Sequence, residues 1–134
     1  MSTDPEIEER TIRSFVCGPK QDRYLSFIGN QNRREKFLRE LYHFHDLEPS
    51  CLVQIPSGQQ NQSNILQLLK ARGAGDNCYA ISTHGAIDGR TLPISEALSE
   101  VIGQGHGTFL SCVPGRLAYF EGESAKDRFL LVHA

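Results

Sequence analysis

"GTFLSCVPGRLAYFEGE", residues 107–123, decides how the rest of this chain is read. Two apolar, β-rich runs flank Pro114 and Gly115, so the stretch reads as two sheet strands that return on each other. An L-proline followed by glycine favours a type II turn, whose twist fits a two-residue hairpin poorly; a wider join or a bulge is expected. Regular alternation places Arg116, Ala118 and Phe120 on one face and Leu117, Tyr119 and Glu121 on the other, which makes Tyr119 and Glu121 neighbours. The polar residues round the join, Cys112, Arg116, Tyr119 and Glu121, fit either a bent hairpin or the rim of a binding site.

Outward from this hairpin, "RFLLVHA" (128–134) supplies a further strand, and "SCLVQIP" (50–56) and "CYAIST" (78–83) supply two more. Between them lie amphipathic helices. One carries Ile65, Leu66, Leu68 and Leu69 between a Ser63 cap and the "RGAG" stop, and the other carries Ile94, Leu98, Val101 and Ile102 after Pro93. Strand, helix, strand, helix, strand is the signature of crossover units, so the first three strands are expected to be parallel. The last two are too close together for a crossover and are expected to be antiparallel, giving a mixed sheet of about five strands. Upstream, Asp4 and Pro5 cap a first helix, Gly18 and Pro19 separate it from a second, and a third starts near Asn32 with Phe37, Leu38, Leu41, Tyr42 and His45 on its apolar stripe. Arg33, Arg34, Lys36, Arg39 and Glu40 fall on its solvent side. The expected fold is α/β bordering on α+β: one domain over 1–134, with a helical layer (1–46) packed on a mixed sheet region (50–134).

Composition narrows the function. With 134 residues, 39% of them hydrophobic and 22% charged, the chain suits one globular domain with its own core. No apolar run approaches the roughly 20 residues of a membrane span. "MSTDPEIEER" is acidic where a secretory leader starts basic, so a cytoplasmic location is expected. Four cysteines, Cys17, Cys51, Cys78 and Cys112, lack close pairing and read as reduced thiols in the core, not as a zinc set or a disulfide framework. The net charge of −2 argues against nucleic acid, although Lys20, Arg23, Arg33, Arg34, Lys36 and Arg39 form a local basic run. In "HFHD", His43 and His45 diverge on a helix, with His45 turned to the core, and "GQGHG" follows a helix, the reverse of a phosphate-binding order. No metal site and no cofactor are expected.

Parallel sheets bind ligands beyond the carboxyl ends of their strands. That edge would gather Ser57, Gln59, Gln60, Ser82, Thr83, His84, Asp88, Arg90 and Arg116, offering two guanidiniums to an anion and a histidine that titrates near neutrality. For nucleophilic catalysis the residue types are present, as Ser82 or Ser57 with His84 and Asp88, or Cys112 with His106, but no order-specific motif supports either set. Cys112 in a strand interior is expected to be an inert core thiol.

The run "DGRTLPISEAL" together with "GTFLSCVPGRLAYFEGE" resembles a string that recurs in small uncharacterised bacterial proteins. The matched positions are Asp88, Gly89, Leu92, Pro93, Glu96, Ala97, Leu98, Ser111, Cys112, Pro114, Gly115 and Leu117 through Glu123, about the last third of the chain. The resemblance implies a small bacterial, cytoplasmic domain and carries no catalytic roles. The expected function is a non-catalytic binding or regulatory module that meets a ligand or protein partner through the loops at His84–Arg90 and the Pro114–Arg116 turn. The alternative is a small hydrolase or transferase for an anionic metabolite, with Arg90 and Arg116 as anchors and His84 as general base. A third reading is a protein interface on the helical layer around Tyr24 and Tyr42.

Overall fold

Asp4 opens the first helix of the computed structural model, which describes residues 3–133. Met1, Ser2 and Ala134, at the two ends of the stretches read above, lie outside the described residues. The Asp4 carboxylate accepts the Ile7 N–H at 3.2 Å and Pro5 occupies the first turn of α1 (Pro5–Phe15). Two more helices follow, α2 (Gln21–Ile28) and α3 (Gln31–Glu40), the latter capped by the Asn30 side chain. The sequence extends the helical stripe of α3 to His45. Instead the chain tightens into a 3₁₀ turn at Leu41–His43, which changes the period. Leu41 and Phe44 therefore reach the core, whereas Tyr42 and His45 are exposed.

The remaining elements are β1 (Leu52–Gln54), α4 (Gln62–Ala71), β2 (Asn77–Ser82), β3 (Thr91–Pro93), α5 (Ile94–Val101), β4 (Thr108–Val113), β5 (Leu117–Glu121) and β6 (Arg128–Val132). Asn61, not Ser63, caps α4, accepting the Asn64 N–H at 2.9 Å. The strands form one sheet in the order β1-β6-β5-β4-β2-β3, and every neighbouring pair is antiparallel. The expectation of three parallel strands is thus corrected. The helices do join strands of like direction, β1 to β2 through α4 and β3 to β4 through α5, as crossover units do. Antiparallel strands fill the gap in each case: β2 lies between β3 and β4, and β6, β5 and β4 separate β1 from β2. The added strand, β3, is three residues long, too short for a period-2 pattern to be read in sequence.

The hairpin expectation is met. The β4–β5 register shifts between Ser111 and Val113, the Arg116 N–H bonds the Val113 carbonyl at 2.9 Å, and Gly115 takes φ +75° at the third position of the turn, as a type II turn requires.

Helices cover both faces of the sheet. On one, α1–α3 contribute Ile12, Phe15, Tyr24 and Phe37 against Tyr79, Ile81, Phe109 and Phe120. On the other, α4 and α5 contribute Ile65, Leu69, Leu98 and Val101 against Ala80, Leu110, Leu117 and Tyr119. Successive residues along β2, β4 and β5 go to opposite clusters, even positions of β2 and β4 and odd positions of β5 to the α4–α5 side, as strand geometry with both faces apolar requires. Gly107, just before β4, lies against the end of α3: a Cβ there would sit 2.5 Å from the Leu41 carbonyl carbon. Among the described residues no helix is long and apolar enough to cross a membrane.

Candidate functional site

Strand register fixes which loops meet. Ser82 pairs with Thr108, Thr108 with Glu121, and Glu121 with Arg128, so the exits of β2 and β5 and the entries of β4 and β6 share one end of the sheet. Arg116 lies beyond the Val113–Leu117 pair at the opposite end, so the single cleft containing both Arg90 and Arg116 does not form. Ser57 and Gln59 follow β1 at the Ser82 end, but four strand spacings, roughly 19 Å, separate β1 from β2. Gln59 instead borders a groove of about 380 Å³ along α4 with Asn64, Gln67 and Leu68. Cys112 and His106 are also apart: Cys112 lies four residues, roughly 13 Å, along β4 from Thr108, and His106 precedes that strand.

At the Ser82 end the loop between β2 and β3 is held from inside. The Arg34 guanidinium reaches across from α3 and donates to both Asp88 oxygens, at 2.6 and 2.9 Å, and to both Glu8 oxygens of α1, at 3.0 and 2.8 Å. Tyr79 donates its hydroxyl to Glu8 at 2.6 Å and accepts the Asp4 N–H at 2.9 Å. Glu8 is 0% and Arg34 6% exposed. Burial opposes the charge of Arg34, but its hydrogen bonds to Asp88 and Glu8 outweigh it and leave its pKa raised. Burial also raises the Tyr79 pKa.

Asp88 is therefore the partner of Arg34, not of His84, and its Oδ1 also accepts the Ser82 N–H at 3.0 Å. The Ser82 hydroxyl is buried, 2.8 Å from the Thr108 hydroxyl, and accepts the His84 N–H at 3.0 Å. Both groups position the loop, and the candidate Ser82–His84–Asp88 set is not assembled. Cys112 is buried, and desolvation holds its thiol well above the ordinary range, which disfavours a nucleophilic thiolate in the closed fold.

What this framework presents to solvent is a pair of imidazoles. The His84 and His106 rings stack in parallel with centroids 4.8 Å apart and an interplanar angle of 8°. His84 Nε2 lies 3.1 Å from the Glu100 carboxylate of α5. Burial, with the neighbouring His84 charge, lowers the His106 pKa, which favours the neutral ring. His106 belongs to the "GQGHG" loop, which is anchored in turn by Glu121. That carboxylate is 0% exposed, accepts the Tyr119 hydroxyl at 2.6 Å and the Gly103 N–H at 3.1 Å, and lies 3.5 Å from Arg128 Nε. Burial raises its pKa, against the opposing effects of Tyr119 and Arg128. Tyr119 and Glu121 are thus neighbours as expected, but inside the protein. Arg128 donates to Gln60 at 2.8 Å and so ties the loop after β1 to the same support.

Two exposed arginines complete this end. Arg90 folds back to the Ala86 carbonyl at 2.8 Å, and Arg39 borders a groove of about 300 Å³ with Glu35, Leu38, Tyr42 and Thr83. Neither makes an ion pair among the described residues. Tyr42 is 36% exposed, and the buried Thr83 hydroxyl has no hydrogen-bond partner. Among the described residues there is no cluster of three or more side chains placed to hold a metal ion.

Arg34 and Glu8 escape a reading that sorts charged residues to the solvent side, and Tyr79 and Glu100 enter only through contacts distant in sequence. A signal was available. Glu8 precedes Ile12 by four residues and Phe15 by seven, and Arg34 precedes Phe37 by three and Leu41 by seven, so both charges sit on the buried stripe of their helices. No family model, curated protein or solved structure matches the chain.

Proposed function

We propose that this chain is a non-catalytic binding module whose anionic ligand or acidic protein partner engages the end of the sheet that carries the Thr83–Arg90 loop. One observation carries the reading: of the groups suited to covalent chemistry, Ser82, Cys112 and Glu121 are buried and the half-buried Asp88 carboxylate is taken up by Arg34, so all four hold loops or pack the core. What remains accessible on this rigid frame is His84, His106, Arg90 and Arg39. Such a surface recognises charge and shape without supplying a nucleophile. The resemblance to small bacterial proteins supports a bacterial, cytoplasmic setting for this role.

The test is the melting temperature of the protein against a panel of anionic metabolites and nucleotides, with Arg90→Ala in parallel. A ligand of the folded state at about 100 times its dissociation constant adds about 2.7 kcal/mol, an easily measured shift. The expected result is a shift in the wild type that is reduced in Arg90→Ala. An unchanged shift in the variant would place binding elsewhere.

A second reading rests on the 3.1 Å contact between His84 and Glu100. A carboxylate that orients an imidazole is the arrangement of a general base, here one acting on water and an anionic substrate, without Arg116. Turnover of a phosphate or carboxylate ester that is lost in His84→Ala would favour this reading over the first.

A further inference from the structure

The backbone hydrogen bonds of β2 reveal how its residues face β4. Ala80 donates to the Arg90 carbonyl at 3.0 Å and accepts the Gly89 N–H at 2.8 Å, so its polar groups turn to the β3 side. Thr83 donates to the Gly107 carbonyl at 3.0 Å, which assigns the odd-numbered residues to β4. Ala80 and Leu110, which are opposite each other, therefore form a non-hydrogen-bonded pair. Extended one step past its last pair, Tyr79–Ser111, the β2–β4 register brings Cys78 opposite Cys112, the β4 residue at the bulge against β5, and places Cys78, two residues from Ala80, in the same class. Cα atoms in such pairs lie about 4.5 Å apart and the side chains approach closely, inside the roughly 4.4–6.8 Å range that a disulfide spans. Both side chains belong to the apolar cluster under α4 and α5, with Cys78 3% and Cys112 8% exposed.

We infer that Cys78 and Cys112 form a cross-strand dithiol that a small disulfide converts to an intramolecular disulfide. In the first step one protein thiolate attacks a sulfur of the reagent, whose S–S bond breaks and releases one reagent thiolate. In the second, the other protein thiolate attacks the protein sulfur of the mixed disulfide, forms the Sγ–Sγ bond and releases the second reagent thiolate. The two thiol protons end on the two reagent thiols, the protein is oxidised by two electrons, and the reagent is reduced by two. Burial slows the first step, which requires local opening at α4 and α5; the cross-strand register speeds the second by holding the partner in place.

The experiment treats the folded protein with hydroxyethyl disulfide, a small neutral reagent, in a Cys17→Ala/Cys51→Ala background, which leaves only the pair in question. Intact mass and peptide mapping are read under non-reducing conditions, and folding of each variant is checked by circular dichroism. The expected product is about 2 Da lighter than the dithiol, contains a linked Cys78–Cys112 peptide, melts at a higher temperature and reverts with reductant. A further Cys112→Ala substitution should leave a stable mixed disulfide at Cys78. Mixed disulfides at both cysteines without linkage, or linkage only above the melting temperature, would overturn the inference.

Discussion

Arg34 and Asp88 meet in a two-pronged ion pair, at 2.6 and 2.9 Å, between the third helix and the loop that follows β2. The same guanidinium grips Glu8 of the first helix, so a single side chain fixes two helices and the candidate binding loop together. Planarity matters here: one edge of the guanidinium, Nε and Nη2, serves Glu8 and another, Nη1 and Nη2, serves Asp88, a geometry that an ammonium does not reproduce.

Replacing Arg34 with Met is expected to destabilise the fold by about 3–5 kcal/mol, because Glu8 would remain buried without its counter-charge. Arg34→Lys should recover only a minority of that loss. Urea unfolding of the variants measures both. A double-mutant cycle with Asp88→Asn should give a coupling energy above about 1 kcal/mol, since the groups are in direct contact.

Glu121 predicts a pH dependence of definite sign. Burial raises its folded-state pKa above the ordinary 4.5. The stability linked to its protonation is therefore fully present below the unfolded value and is lost as the pH rises through the folded one. Glu121→Gln removes this dependence. The difference in melting temperature, variant minus wild type, should be more favourable to the variant at about pH 7.5 than at about pH 4.

For His106 the sign is reversed. Its folded pKa lies below the ordinary 6.5, so the stability of the neutral ring is present above that value and is lost as the pH falls through the folded pKa. His106→Asn should lose less melting temperature than the wild type between about pH 7.5 and about pH 5. Direct titration of the imidazole by NMR gives the same answer independently.

Gly107→Ala should destabilise by about 1–3 kcal/mol, the usual cost of overpacking. Its added Cβ would lie 2.5 Å from both the carbonyl carbon and the Cβ of Leu41, where backbone and not a flexible side chain must yield. Gly18→Ala, at a position open to solvent, serves as the control.

Much of the fold is legible in the chain because local signals agree with the tertiary result. Asp4 and Pro5 mark the start of α1, and Pro114 and Gly115 mark the bulged hairpin, as expected. Strand order is less accessible. Whether β2 sits beside β4 or β1 depends on how distant faces pack, and the three-residue β3 has no pattern of its own. The site follows the same division. The sequence points to the loop holding His84 and Arg90, but its link to Arg34 spans 54 positions and its contact with Glu100 crosses from the end of β2 to α5. A parallel arrangement would bring Arg116 to that loop's cleft, whereas the antiparallel sheet sends it to the other end.

The most direct test of the binding account is NMR titration of ¹⁵N-labelled protein with an anion that shifts its melting temperature, observing the backbone amides and the imidazole nitrogens together. The account predicts shifts at the His84 and His106 rings and along Thr83–Arg90, with Ser57–Gln59 and Arg116 unmoved. Shifts centred on Arg116 or on Ser57–Gln59, with both imidazoles silent, would contradict it.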